Sequence, residues 1–175
     1  MKVLRKQVVE TENIQVGDQI IIPLKRLGEF TATAYKVTDE GVLFIFDKCV
    51  TRRPMNKTDT NEGGFEKSDL KRWMNKVLLK AFPEDLRHKV FGLTIPTIGQ
   101  TAGHRDEWYN ELFEADTEEP LLLVKEVKDD REWLRNAEKQ RVSSIQFACI
   151  AKINYVTDWI ATYYAGVRPE FWLSK

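Results

Sequence analysis

Gly166-Val167-Arg168-Pro169-Glu170-Phe171-Trp172-Leu173-Ser174-Lys175 packs a turn residue, a fixed cation, a proline and two large aromatics into one short stretch at the chain's end. Chain ends usually fray unless something ties them down. Here Val167, Phe171, Trp172 and Leu173 together can remove on the order of several hundred Å² of apolar surface from water, worth roughly 25 cal/mol per Å². The segment from Val167 to Leu173 is therefore expected to be the closing strand of a core.

Partners for that strand are found at the other end of the sequence. Val16-Gly17-Asp18 signals a turn, and strands are expected over Gln19–Pro23, Phe30–Val37 and Val42–Phe46. The last two are joined by Thr38-Asp39-Glu40-Gly41, a linker length and composition that predicts an antiparallel hairpin. Val42-Leu43-Phe44-Ile45-Phe46 is apolar at every position, which predicts a central strand covered on both faces.

Residues 51–64 are polar and rich in turn formers, and read as a loop. From Ser68 the period changes to that of a helix: Leu70, Trp73, Met74, Val77, Leu78 and Ala81 form one apolar stripe, with Lys71, Arg72, Asn75, Lys76 and Lys80 between them. Ser68 suits an N-cap, Asp69 the positive end of the helix dipole, and Lys80 the negative end. Pro83-Glu84-Asp85 restarts a shorter helix through about Val90.

The middle of the chain is less regular. Leu93–Pro96 reads either as a short strand or as an extended link, and Thr97–Gly103 as loop. A helix is expected over Arg105–Ala115, followed by an apolar strand or buried turn at Leu121–Val124. Residues 129–140 read as helical or as a charged loop around Trp133. Strand character returns over Ser144–Ala151 and near Trp159–Tyr164. The pattern amounts to a single mixed α+β domain over residues 1–175, an antiparallel sheet joining N- and C-terminal strands, with a helical pair at about 68–90.

Composition excludes more than it identifies. Twenty-seven basic residues balance twenty-seven acidic ones, which disfavours a nucleic-acid partner that would require net positive charge. No stretch reaches the length of a membrane span or a signal-peptide core, so synthesis in the cytoplasm is expected, with association with a virion compatible with the same features. Cys49 and Cys149 lie in apolar runs without metal-type spacing and read as reduced, buried side chains. His88 and His104 have no nucleophile at motif spacing. GxGxxG, Walker, HExxH, GxSxG and CxxC patterns are all absent, so no catalytic residue, cofactor or metal is assigned and the chain is not expected to be an enzyme.

SDLKRWMNKVLLKAF at 68–82, followed by PEDLRHKV, resembles the central S-x-LR-x-WLN pattern of a bacterial and phage domain family of unknown function. The resemblance extends to EWLRN at 132–136, in the place of a WWLRS-type strand, and to GVRPEFWL at 166–173, in the place of GVRPALW. With VGDQIII and the strands up to VLFIF it covers about Val16 to Leu173. Glu132 and Asn136, and the acidic middle, depart from the pattern. In element order the family is similar to C-type-lectin-like and formylglycine-generating-enzyme-like domains, which implies termini paired in one sheet and an irregular half that presents a binding surface. Formylglycine-type chemistry needs a pair of cysteines near the C-terminal half, where only Cys149 lies.

Two surfaces are candidates for binding. The first is the 154–164 segment, where Tyr155, Asp158, Trp159, Tyr163 and Tyr164 combine rigid aromatic area with adaptable hydrogen bonding, as binding loops do. Arg168, Trp133 and Arg135 extend this set, although a buried acid pairing with Arg168 to lock the closing strand is the favoured reading of that residue. The second is an acidic face with Asp106, Glu107, Glu111 and Glu114, for which a solvated helix is the simpler explanation. Arg52, Arg53 and Lys57 read as a solvated loop because Asp59 and Glu62 follow closely. The expected function is that of a phage- or mobile-element-encoded binding module for a protein or glycan. An accessory or inhibitor protein acting through the acidic face is the alternative, and an enzyme of unrecognised type comes third.

Overall fold

The backbone follows the apolar pattern at both ends of the chain. A computed structural model of the protein describes residues 13–102, 111–113, 121, 131–139, 147–151 and 155–175. Strands β1 (Gln19–Leu24), β2 (Gly28–Val37) and β3 (Gly41–Phe46) form an antiparallel meander. The Thr38 and Gly41 backbones close the β2–β3 turn, with the Thr38 N–H donating to the Gly41 carbonyl at 2.9 Å. Every residue of β3 is buried, as its unbroken apolar run requires.

The closing tail is two strands rather than one. Strand β9 (Tyr164–Val167) pairs antiparallel with β4 (Thr51–Pro54), and β10 (Glu170–Ser174) pairs antiparallel with β3. Arg168 and Pro169 make the crossing between them. The result is two five-stranded sheets, ordered β1-β2-β3-β10-β5 and β4-β9-β6-β7-β8. In these, β5 is Val90–Thr94, β6 is Arg131–Ala137, β7 is Phe147–Ala151 and β8 is Tyr155–Trp159. Residues 41–54 and 164–174 thus run side by side as a ribbon that passes from one sheet into the other. It is stitched at the crossing by Phe46 N–H to the Pro169 carbonyl (3.1 Å) and Val50 N–H to the Val167 carbonyl (2.9 Å).

The main core lies on the inner face of the first sheet. Phe171 of β10 is its hub: its ring sits 5.8 Å from Phe44, 5.5 Å from Phe46 and 5.1 Å from Phe82. Against these rings pack Leu70, Met74, Leu78 and Ala81 from a helical rod over residues 69–81. The rod consists of α1 (Asp69–Trp73), a π-helical turn (Met74–Leu78) and α2 (Leu79–Ala81). Ser68 is its N-cap, its hydroxyl accepting from the Lys71 N–H at 3.0 Å. A short α3 (Glu84–Arg87) follows Pro83, ending before Val90, which belongs to β5.

Four expectations are corrected. Val77 is half exposed, not part of the core stripe. At about 100° per residue Val77 would sit mid-stripe, but the π turn, marked by the Leu79 N–H bonding to the Met74 carbonyl, under-winds the rod and swings Val77 onto its flank. Residues 51–54 are a strand, because β9 offers them a ladder. Residues 131–137 are a strand, neither helix nor loop, with Glu132 on its buried side. Within 97–103, α4 (Ile98–Ala102) replaces the expected loop. Thr97 and Gln100 cap it reciprocally: Gln100 N–H donates to Thr97 Oγ1 (3.1 Å) and Thr97 N–H to Gln100 Oε1 (2.8 Å). The expected helix at 105–115 falls outside the described residues except for 111–113, and the strand at 121–124 except for Leu121. Among the described residues no helix is long and apolar enough to cross a membrane.

Candidate functional site

The turn between β8 and β9 is held from below and open above. Ala161 is buried at the foot of the turn, and its carbonyl accepts from the Asn56 N–H at 3.0 Å. The Tyr163 N–H closes the turn onto the Ile160 carbonyl at 3.0 Å. With one residue anchored inward, the next two large side chains point out: Tyr163 is 49% and Tyr164 63% exposed. Loop tips carried on rigid sheets are where binding side chains concentrate.

Trp159, at the end of β8, packs partly against the main core and braces this tip. The Arg131 guanidinium lies 3.8 Å from the centre of its ring, and the Tyr163 ring meets it edge-on at 5.3 Å and 75°. Such a stack of cation, indole and phenol costs little entropy on binding because its members are already in place. Arg52 reaches the same tip, its Nη2 donating to the Tyr164 carbonyl at 3.4 Å. Trp159 and Tyr163 are thus in ring contact and Tyr164 follows them exposed to solvent, while the side chains of Tyr155 and Asp158 lie outside the described residues.

Arg168, Trp133 and Arg135 are placed elsewhere. Arg168 Nη2 donates to Glu132 Oε1 at 2.6 Å, and both side chains are less than a tenth exposed. Burial alone would lower the pKa of the guanidinium, but the Glu132 carboxylate, by its charge and by its hydrogen bond, outweighs it and leaves the value above that of an ordinary arginine. The pair clamps β6 to the crossing between the sheets. Trp133 is fully buried, its indole N–H donating to the Arg53 carbonyl at 2.7 Å and its ring edge-on to Phe147 at 6.3 Å. Arg135 stands 3.9 Å from the buried Glu170 carboxylate. Gln100 Nε2 donates to that same residue at 3.1 Å. Neither Trp133 nor Arg168 presents its side chain to solvent.

Of the acidic face, Asp106, Glu107 and Glu114 lie outside the described residues, and Glu111 is exposed. Cys49 is half-buried and His88 exposed. Among the described residues no group of three His, Cys, Asp or Glu side chains is arranged to hold a metal ion. The loop reading of Arg53 is replaced by a structured one, since its guanidinium lies 4.7 Å over the ring of Trp73. That contact joins residues twenty positions apart, from β4 and from the helical rod.

The segment that contains Trp73 also places the chain among known sequences. Residues 40–126 match the family model described as Domain of unknown function (DUF6273). Over this stretch the chain is similar to that family. The DUF6273 match takes in β3, β4, the helical rod, β5 and α4, and includes the SDLKRWMN motif; EWLRN and GVRPEFWL lie beyond it. No curated protein and no solved structure matches the chain.

Proposed function

We propose that the protein is a non-enzymatic binding module that recognises a protein or a glycan through the Tyr163–Tyr164 tip. The observation that supports this is the pair of consecutive exposed tyrosines on a turn whose base is buried and whose neighbour Trp159 is braced on both sides. Phenol rings in such a setting stack on the apolar face of a sugar ring or on a peptide side chain, and their hydroxyls exchange hydrogen bonds with either. A C-type-lectin-like relationship and association with a virion after synthesis in the cytoplasm belong to the same proposal.

The test is retention of bacterial cell-surface glycans and proteins on the immobilised protein, compared with the double variant Tyr163→Ala/Tyr164→Ala. Loss of a two-tyrosine hot spot is expected to weaken retention by at least about tenfold. Equal retention by the double variant would remove the tip from the binding surface.

A further inference from the structure

A concave surface lies beside β4, and its chemistry differs from that of the tyrosine tip. It is a cleft of about 400 Å³ between the β1–β2 turn, β4 and the outer flank of the helical rod. Five cations surround it: Lys25 and Arg26 from the turn, Arg53 from β4, and Lys76 and Lys80 from the rod. No carboxylate lines it, and among the described residues none of the five is paired with one. In a chain of zero net formal charge this is a local concentration of one sign. The floor is apolar, made by Leu27, Trp73, Val77 and Ala81.

Four features show that this cleft is built into the fold. The π turn places Val77 beside Trp73 instead of in the core, and single π turns within helices recur at functional sites. Arg26 holds a left-handed backbone, φ 68°, the single non-glycine among the described residues to do so. The turn that carries it is pinned to the rod, the Lys25 N–H donating to the Ala81 carbonyl at 2.8 Å. Arg53 is fixed in turn by the bond from buried Trp133 to its carbonyl and by its stacking on Trp73.

We infer that this cleft binds an acidic peptide segment of a partner protein, with a large apolar side chain on Trp73 and Val77 and carboxylates on the surrounding cations. A smaller hollow of about 270 Å³ continues from it, sharing Arg53, Trp73, Lys76 and Val77 and adding Lys57 and Arg72. The carboxylate in this hollow, Asp69, is already occupied by the Lys57 N–H and by Arg72. Two adjoining hollows fit an extended chain better than a single compact anion.

The site is separate from the tyrosine tip, and its test is independent of that surface. The probe is a short fluorescein-labelled peptide of alternating glutamate and phenylalanine, titrated by fluorescence anisotropy at low and at physiological salt. Saturable binding is expected, weakening with salt, and reduced about tenfold by Lys76→Glu/Lys80→Glu, two exposed changes that leave the core untouched. Trp73→Ala is expected to abolish the preference for phenylalanine over alanine in the peptide. The double variant Lys36→Glu/Lys48→Glu alters net charge equally but on exposed residues outside the cleft, and is expected to keep affinity within twofold. Equal losses in the two double variants, binding of the lysine-for-glutamate peptide, or displacement of the peptide by inorganic pyrophosphate at equal concentration would each overturn the inference. Loss of peptide binding in Tyr163→Ala/Tyr164→Ala would overturn the separateness of the two surfaces.

Discussion

Replacing Arg168 with methionine leaves Glu132 as a buried carboxylate without its cation. With the charged atoms 2.6 Å apart, direct attraction at an effective dielectric of about 20 is roughly 6 kcal/mol. Much of that replaces hydration lost when both groups, 8% and 5% exposed, left water. The measurable consequence is the penalty on the orphaned partner, about 3–5 kcal/mol for either Arg168→Met or Glu132→Leu alone. In the double variant Arg168→Met/Glu132→Leu no buried charge remains, and most of the loss is recovered. Urea unfolding of the four proteins, read by tryptophan fluorescence with the slope held in common, closes the cycle. Single variants costing under about 1 kcal/mol, or a double variant as unstable as the sum of the singles, would refute the clamp and return Arg168 to the list of ligand-binding residues.

Phe171→Ala removes the ring that touches Phe44, Phe46 and Phe82 and is expected to cost about 3–5 kcal/mol, seen as a lowered urea midpoint. Val77→Glu is expected to change stability by less than about 0.5 kcal/mol, whereas Leu78→Ala costs about 2–5 kcal/mol; a Val77 cost in the Leu78 range would contradict the π-turn geometry. Asp69 is held below the ordinary carboxylate range by the Lys57 N–H and then by Arg72, so its contribution is complete above about pH 4 and is lost as pH falls through its lower folded value. Asp69→Asn should therefore lower the urea midpoint at pH 7 and flatten its decline in acid, and parallel acid profiles would count against this. Tyr163→Ala/Tyr164→Ala should leave the thermal midpoint nearly unchanged while altering binding.

How much of this was legible in the sequence depended on whether local period and tertiary demand agreed. Val42–Phe46 and the Ser68 cap were readable because a continuous apolar run and a cap before a 3.6 period have few other meanings. The two-sheet tail was not, since a residue before proline is extended whether the chain continues in one sheet or changes to another. Glu132 hid β6, because a charged residue inside a strand argues for exposure until its cation, thirty-six positions later, is known. α4 had a signal that went unread: Thr97-Ile98-Gly99-Gln100 is a capping-box spacing. Of the two proposed binding surfaces, the tyrosine tip was visible from composition. The basic cleft was not, because its cations come from three separated segments and its apolar floor depends on an under-wound turn.

The ribbon formed by residues 41–54 and 164–174 bears on how this protein can be cut. β10 lies between β3 and β5, and β9 lies between β4 and β6. A fragment trimmed to the family-matched stretch, 40–126, would keep β3, β4 and β5 but lose the strand that sits beside each of them, along with the Phe171 ring at the centre of the core. Such a fragment would expose apolar strand edges and associate with itself rather than fold. The smallest piece worth expressing therefore runs from β1 through β10, and either proposed surface must be tested in that longer chain.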